Sequence, residues 1–266
     1  MTRKRAKAAG RRTPKLRQSA PLADVRGVSK TFESGISALR DISFTIRPGE
    51  FLSLLGASGC GKTSLLRILA GLLSPDTGKI SWKLGRRPRE TGFVFQEPAL
   101  MPWADVRTNL QLPLRLMGIE SSDAGRRTEE ALAAVGLEDF ADAYPHELSG
   151  GMKMRASLAR ALIVKPKLLL MDEPFAALDE ISRFRLNDEL LALWQSLGCT
   201  IVFVTHSVFE AAYLSSRTLI MSQRPGTIAE EIGFLPATGR FDPQYRTSPA
   251  FTARVRKLSE ALERAG

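Results

Sequence analysis

Gly56-Ala57-Ser58-Gly59-Cys60-Gly61-Lys62-Thr63, followed by Ser64, has the spacing G-x-x-x-x-G-K-[ST]. Glycines so placed let successive backbone N–H groups turn inward around a polyanion. The apolar run Phe51 to Leu55 precedes the loop, and an apolar run from Lys62 to Ala70, closed by Gly71, follows it. The segment therefore reads as strand, loop, helix, with the positive end of a helix aimed at the same anion. This is chemistry for a nucleoside triphosphate. Lys62 reaches the outer phosphates, and the Thr63 hydroxyl ligates Mg2+. Cys60 reads as a small residue that fits the loop, ahead of the alternative of a reactive thiolate.

A second constellation is Leu168-Leu169-Leu170-Met171-Asp172-Glu173, with Pro174 ending the strand. Acids at the carboxyl end of a buried parallel strand sit where open α/β sheets bind ligands. Asp172 is the expected holder of Mg2+, and Glu173 the candidate general base that activates water against the γ-phosphate. A third is Leu148-Ser149-Gly150-Gly151-Met152 before a helical run to Leu162. Ser149 is a good N-cap, and the two glycines leave N–H groups open to an anion, separate from the first loop.

The elements that must position these groups follow from periodicity and turn signals. Strands are expected at 22–28, 43–46, 51–55, 78–82, 92–95, 167–171, 200–205, 217–223 and 226–232. Helices are expected at 62–70, 105–117, 126–135, 149–163, about 180–197 and 208–214, and Phe251, Val255, Leu258 and Leu262 recur at helical spacing. Alternation of strands and helices implies a parallel sheet with crossover helices. The stretch 105–163 interrupts it with helices. Trp82 and Trp194 read as packing residues.

The chain has 266 residues, enough to bury a core without disulfides, and Cys60 and Cys199 cannot make a disulfide framework. No apolar run reaches the length of a membrane helix. Eight of its 38 basic residues lie within residues 1–20, which hold no acid, and the rest is near neutral with 30 basic against 28 acidic. The formal charge of +10 thus describes a tail, read as solvated and disordered, and no nucleic-acid face on the domain is required. Attraction of that tail to anionic lipid or RNA is the sharper alternative.

With these motifs in this order, the sequence resembles the ATP-binding subunits of ABC transporters. Leu148 to Met152 resembles their signature motif, with Met152 where Gln is commonest. Gln96 resembles the Q-loop glutamine, Ala177-Leu178-Asp179 the D-loop, and Thr205-His206 the switch histidine. Phe32 falls where the family places an aromatic that stacks on adenine. The segments 96–103, 171–179 and Ser222 to Gly226 resemble the nitrate/sulfonate/taurine importer branch, which includes carriers of pyrimidine precursors. Lys153-Met154 and Ser207 depart from the commoner family residues without removing a catalytic group.

The resemblance implies an α/β P-loop NTPase (RecA-like) core with a helical insertion subdomain and an N-terminal antiparallel β subdomain. Beside the basic tail at 1–20, which is not a family feature, the chain divides into an ATP-binding domain at 21–235 with an insertion at about 97–163, and a helical extension at 236–266. The resemblance implies an ATPase that powers solute uptake at the cytoplasmic face of a membrane, with ATP and Mg2+ as cofactors. Glu173, His206 and Gln96 would be catalytic, and Thr63, Gln96 and Asp172 would hold the metal. Residues 56–64, Phe32, Ser149, Gly150, Gly151 and Asp179 would bind nucleotide. The implied partners are a second copy of the chain, two membrane permease subunits and, indirectly, an extracytoplasmic solute-binding protein. The alternative is a soluble ABC-type ATPase acting on nucleic acid or ribosomes, which the single phosphate loop disfavours. A guanine-specific switch has no basis, since neither Asn109 nor Asn187 begins N-K-x-D.

Overall fold

A computed structural model of the chain describes residues 20–83, 91–234 and 243–266. The basic tail expected at 1–20 lies, apart from Ala20, outside the described residues.

The architecture is built on strands too apolar to tolerate water on either face. β3 (Phe51–Leu55), β6 (Leu168–Asp172), β7 (Thr200–Thr205) and β8 (Arg217–Met221) are buried at every position. Such strands belong inside a parallel sheet covered on both sides. With β5 (Thr91–Val94) and β9 (Ile228–Gly233) they form one six-stranded sheet in the order β5-β6-β7-β3-β8-β9. All neighbours run parallel except β8 and β9. The registers pair Leu55 with Thr205 and Asp172 with Val204. The carboxyl ends of β3, β6 and β7 therefore come to one edge, and that edge carries the chemistry.

Alternate residues of β3 serve two different cores. Phe51 and Leu55 face α4 (Gly150–Leu162), α5 (Glu180–Leu197), α6 (Val208–Leu214) and α7 (Pro249–Ala265), with Met154, Leu190, Phe203 and Leu258 among the packed side chains. Leu52 and Leu54 face α1 (Lys62–Ala70) and a three-stranded antiparallel sheet of β2 (Ser37–Ile46), β1 (Ala23–Thr31) and β4 (Thr77–Trp82). A third core unites α2 (Val106–Leu116), α3 (Ser121–Ala134) and the outer face of α4. Trp194 packs edge-on against Phe51 at 5.7 Å and donates its indole N–H to the Cys199 carbonyl, and Trp82 packs half-buried against the second core.

The expected elements shift in instructive ways. β1 and β2 are longer than the expected 22–28 and 43–46, because bulges break their alternation and hide the strand period. Gly27 and Asp41 both sit at positive φ inside this pair. α3 begins at Ser121, ahead of the expected 126, over a weakly helical stretch. Ion pairs from Asp123 to Arg126 and Arg127 support that first turn. β8 stops at Met221 and β9 begins at Ile228, so 222–227 is a turn and not strand.

One polar cluster ties the two sheets together. Arg217 is 3% exposed, and its guanidinium donates to both Glu50 oxygens at 3.0 and 2.7 Å, to Glu231 at 2.9 Å and to the Thr45 carbonyl at 2.5 Å. It thus joins β8, β9, the end of β2 and the residue that opens β3. Removing one member of a buried pair strands the other. Arg217→Met is expected to cost about 3–5 kcal/mol of unfolding free energy, read by urea denaturation, and a loss under ~1 kcal/mol would show the cluster to be dispensable.

Candidate functional site

The loop after β3 is shaped by contacts that only glycine permits. Gly61 has φ +102°, and a Cβ there would meet the Ala38 carbonyl at 2.6 Å. From the other side Gly226 presses so close to the loop that a Cβ would come within 2.1 Å of the Cys60 carbonyl. Cys60 is thereby buried beneath the loop, as expected of a small residue that fits. Ala57, Ser58 and Gly59 remain exposed.

Lys62 opens α1 yet is only 3% exposed, so its ammonium must find partners inside the protein. It donates to the Gly56 and Ala57 carbonyls at 2.9 and 2.8 Å, closing the loop on itself. Its third neighbour is Glu173 Oε1 at 3.4 Å. Next along α1, Thr63 Oγ1 donates to Asp172 Oδ1 at 2.9 Å. Asp172 is 4% exposed. Burial pushes its carboxyl above the ordinary range, the Thr63 hydrogen bond pulls it back, and the Glu173 charge pushes it up again.

Glu173 adopts φ +43°, a conformation that a bulky residue keeps only where its surroundings over-determine it. Three contacts do so. Its N–H donates to the Val204 carbonyl at 3.1 Å, one carboxylate oxygen faces Lys62, and the other lies 2.9 Å from His206 Nδ1. Lys62, Glu173 and His206 form a continuous polar line from the loop to the end of β7.

A cleft of about 270 Å³ opens over this line. Phe32, Gly59, Gly61, Lys62, Thr63 and Ser64 border it, as do Glu173 and Arg224. Phe32 is 39% exposed at the end of β1. Sequence reasoning assigned no role to Arg224, whose guanidinium donates to the Gly59 carbonyl at 3.1 and 2.9 Å. The segment Ser222 to Gly226 held the signal, because the close approach of Gly226 carries its neighbour to the loop.

Five expected residues stand apart from the cleft. Gln96 is exposed two residues beyond β5, and among the described residues it hydrogen-bonds to none of Thr63, Asp172 or Glu173. Ser149 caps α4, its hydroxyl accepting from the Met152 N–H at 3.3 Å. Gly150 lies open beside it and Gly151 half-open, and a Cβ on either would meet nothing within 4 Å. No intrachain packing demands glycine at these two positions. Asp179, also exposed, caps α5 by accepting from the Ser182 N–H at 2.9 Å, and the Ser182 side chain first, then its N–H, hold the carboxyl below the usual range.

The chemical capacity of the site is binding of a polyphosphate. Inward N–H groups, a helix start and a buried ammonium supply the anion cradle. Thr63 and Asp172 present hard oxygens of the kind that bind Mg2+ together with phosphates. Glu173, flanked by a cation and an imidazole, has the position of a proton acceptor.

The ABC transporter family model matches residues 39–176, which include the loop and both acids. The chain is similar to the nitrate import ATP-binding protein NrtD of Synechocystis sp., at 42% identity over 215 residues, covering 79% of this chain and 80% of that one. It is equally similar to the taurine import ATP-binding protein TauB of Jannaschia sp., at 42% identity over 214 residues and 78% and 80% coverage. Among solved structures it resembles the dimeric post-hydrolysis state of the ATP-binding cassette MJ0796 bound to ADP and Pi, with a TM-score of 0.72, 30% identity, and coverage of 81% of this chain and 100% of that one. The fold is accordingly a P-loop NTPase core with an antiparallel β subdomain and a helical block. The chain belongs to the ABC transporter family, as an ATP-binding subunit and transport-coupled ATPase of the branch that holds the nitrate and taurine import proteins.

Proposed function

We propose that this subunit powers uptake of a small solute of the nitrate, sulfonate, taurine or pyrimidine-precursor type, working as a pair of copies against two membrane permease subunits. Residues 21–235 form the ATP-binding domain in this reading, with the insertion at about 97–163 and the extension at 236–266. The observation that carries it is the unbroken line Lys62–Glu173–His206 under the phosphate cradle. The names of the similar import proteins support the direction of transport and the solute class.

ATP enters with its adenine against Phe32 and its phosphates on the N–H groups of residues 56–64. Lys62 exchanges the Gly56 and Ala57 carbonyls for the outer phosphates, a trade of weak dipoles for full charges. Thr63 and Asp172 would hold Mg2+, joined by Gln96 from the segment after β5. The cation, when bound, offsets phosphate charge. Glu173 takes a proton from a water whose oxygen attacks the γ-phosphorus while the bond to the β-bridging oxygen breaks. His206 keeps the Glu173 carboxylate aimed and meets the γ-phosphate.

Ser149, Gly150 and Gly151 do not border the cleft of their own copy, and their exposure with open space above the glycines supports a second copy supplying the missing anion. Asp179 faces the same partner. The dimeric cassette with ADP and Pi supports such pairing. No helix among the described residues is long and apolar enough to cross a membrane. The surface offered to the permeases is the segment 97–104 beside α2, where Trp103 is 76% exposed over a groove lined by Met101, Thr108, Leu112 and Tyr144. The extracytoplasmic solute-binding protein acts through those permeases and does not touch this chain.

Two measurements test the reading. Glu173→Gln is expected to keep ATP affinity while turnover in the assembled transporter falls about 10²–10⁴-fold, the usual worth of a general base. Near-normal turnover would remove Glu173 from that role. Ser149→Arg is expected to leave nucleotide binding to the single chain intact and to abolish hydrolysis in the assembly. An unchanged assembly rate would argue against the shared site.

A further inference from the structure

Arg183 and Glu210 have no part in the reading above, yet both face the same small space as Glu173 and His206. That space, about 10 Å³, is also bordered by Ala176 and Thr205. Its size is roughly that of a single water.

Glu210, on α6, is 6% exposed. Its Oε2 accepts from Thr205 Oγ1 at 2.5 Å. The same hydroxyl oxygen accepts from the Ser207 N–H at 2.9 Å, and Ser207 Oγ accepts from the Glu210 N–H at 3.3 Å. These three bonds enclose the turn 205–207, which presents His206. The other oxygen of Glu210 faces Arg183 Nε at 3.8 Å. Arg183, in the first turn of α5, donates through Nη2 to the Leu178 carbonyl at 3.0 Å. Leu178 immediately precedes Asp179.

A chain of polar contacts therefore runs from the loop 177–179, through Arg183 and Glu210, to the turn that carries His206. One contact in it is long. At 3.8 Å the Arg183–Glu210 pair exceeds hydrogen-bonding distance, and Arg183 Nε is buried without an acceptor. A small shift of either loop takes up that slack. Burial pushes the Glu210 carboxyl up, while Thr205, Arg183 and His206 pull it down and Glu173 pushes it up. A role confined to packing needs neither charge, since apolar side chains of similar volume fill such sites without the desolvation penalty.

We propose that Arg183 and Glu210 are positioning residues that join the loop 177–179 to the switch turn, so that engagement of the loop by the second copy is transmitted to the turn that already holds His206 against Glu173. The proposal rests on the reading of the site given above.

The test is steady-state ATPase kinetics of the full chain in its assembled transporter, with thermal unfolding of each variant measured alongside. Arg183→Met and Glu210→Gln are each expected to lower kcat about tenfold or more, with KM for ATP held within about twofold and Tm unchanged. The double variant is expected to be no slower than the slower single, the mark of residues acting as one unit. Arg183→Lys is expected to recover part of the rate. Should Glu210→Gln fail to fold, Arg183→Met, at a partly exposed side chain, gives the same reading.

Unchanged kcat, losses that multiply in the double variant, or a fall in Tm that accounts for the rate would each overturn the proposal. Glu173→Gln is assayed in parallel. If it is inactive while the pair variants are normal, the positioning link alone is wrong. If it turns over normally, the reading of the site falls and the link falls with it.

Discussion

A lysine ammonium buried to 3% exposure must be surrounded by acceptors, and the structure around Lys62 is the answer to that demand. Two acceptors are carbonyls of its own loop and the third is a carboxylate from the end of another strand. Bringing Glu173 there requires β6 to stand one strand away from β3, with β7 between them. His206, at the end of β7, then has no choice but to meet Glu173. The strand order is thus tied to the polar line it supports. A polyphosphate competes for the same ammonium with several full negative charges against two dipoles, so the arrangement is both stable without ligand and ready to rearrange for one.

The rest of the fold divides labour around that line. The antiparallel sheet packs against the second core, and its β1 leads to Phe32 at the border of the cleft. Its register with the parallel sheet is held by Arg217, which reaches Thr45, Glu50 and Glu231 together. The helical block has its own core and shares α4 with the first one. α4 therefore connects the exposed start at Ser149 with the surface beside Trp103. On the proposed reading, a shift of the block against the sheet would move both ends together and so would carry phosphate contact at one end to a membrane partner at the other.

Much of this was legible in the sequence, for a physical reason. Phosphate binding and buried parallel strands impose dense local constraints. Glycines at fixed offsets, a lysine at the helix start and an apolar strand ending in two acids leave little room for another reading. Residues that act through long-range contact were hidden. Arg224 reaches the loop across a separation of 165 residues, and Arg217 finds Glu50 across 167. Arg217 carries no local pattern, and Arg224 is marked only by the segment Ser222 to Gly226 that contains it. β1 and β2 exceed the strands the alternation marks, because bulges at Val25–Val28 and beyond disrupt it. The pairing of Arg183 with Glu210 was invisible for the same reason as that of Arg217 with Glu50, since each of the two looks like an ordinary helix-surface charge until the helices are docked.

The central claim is that a triphosphate recruits Lys62 away from its own loop and is completed from across a two-copy joint. A high-resolution structure of the assembled transporter, carrying Glu173→Gln and loaded with ATP and Mg2+, tests it most directly. The account predicts Lys62 Nζ on the outer phosphates, off the Gly56 and Ala57 carbonyls, with the Ser149 helix start of the opposite copy at the γ-phosphate. ATP held by a single copy, with Lys62 still folded onto its own carbonyls, would contradict it.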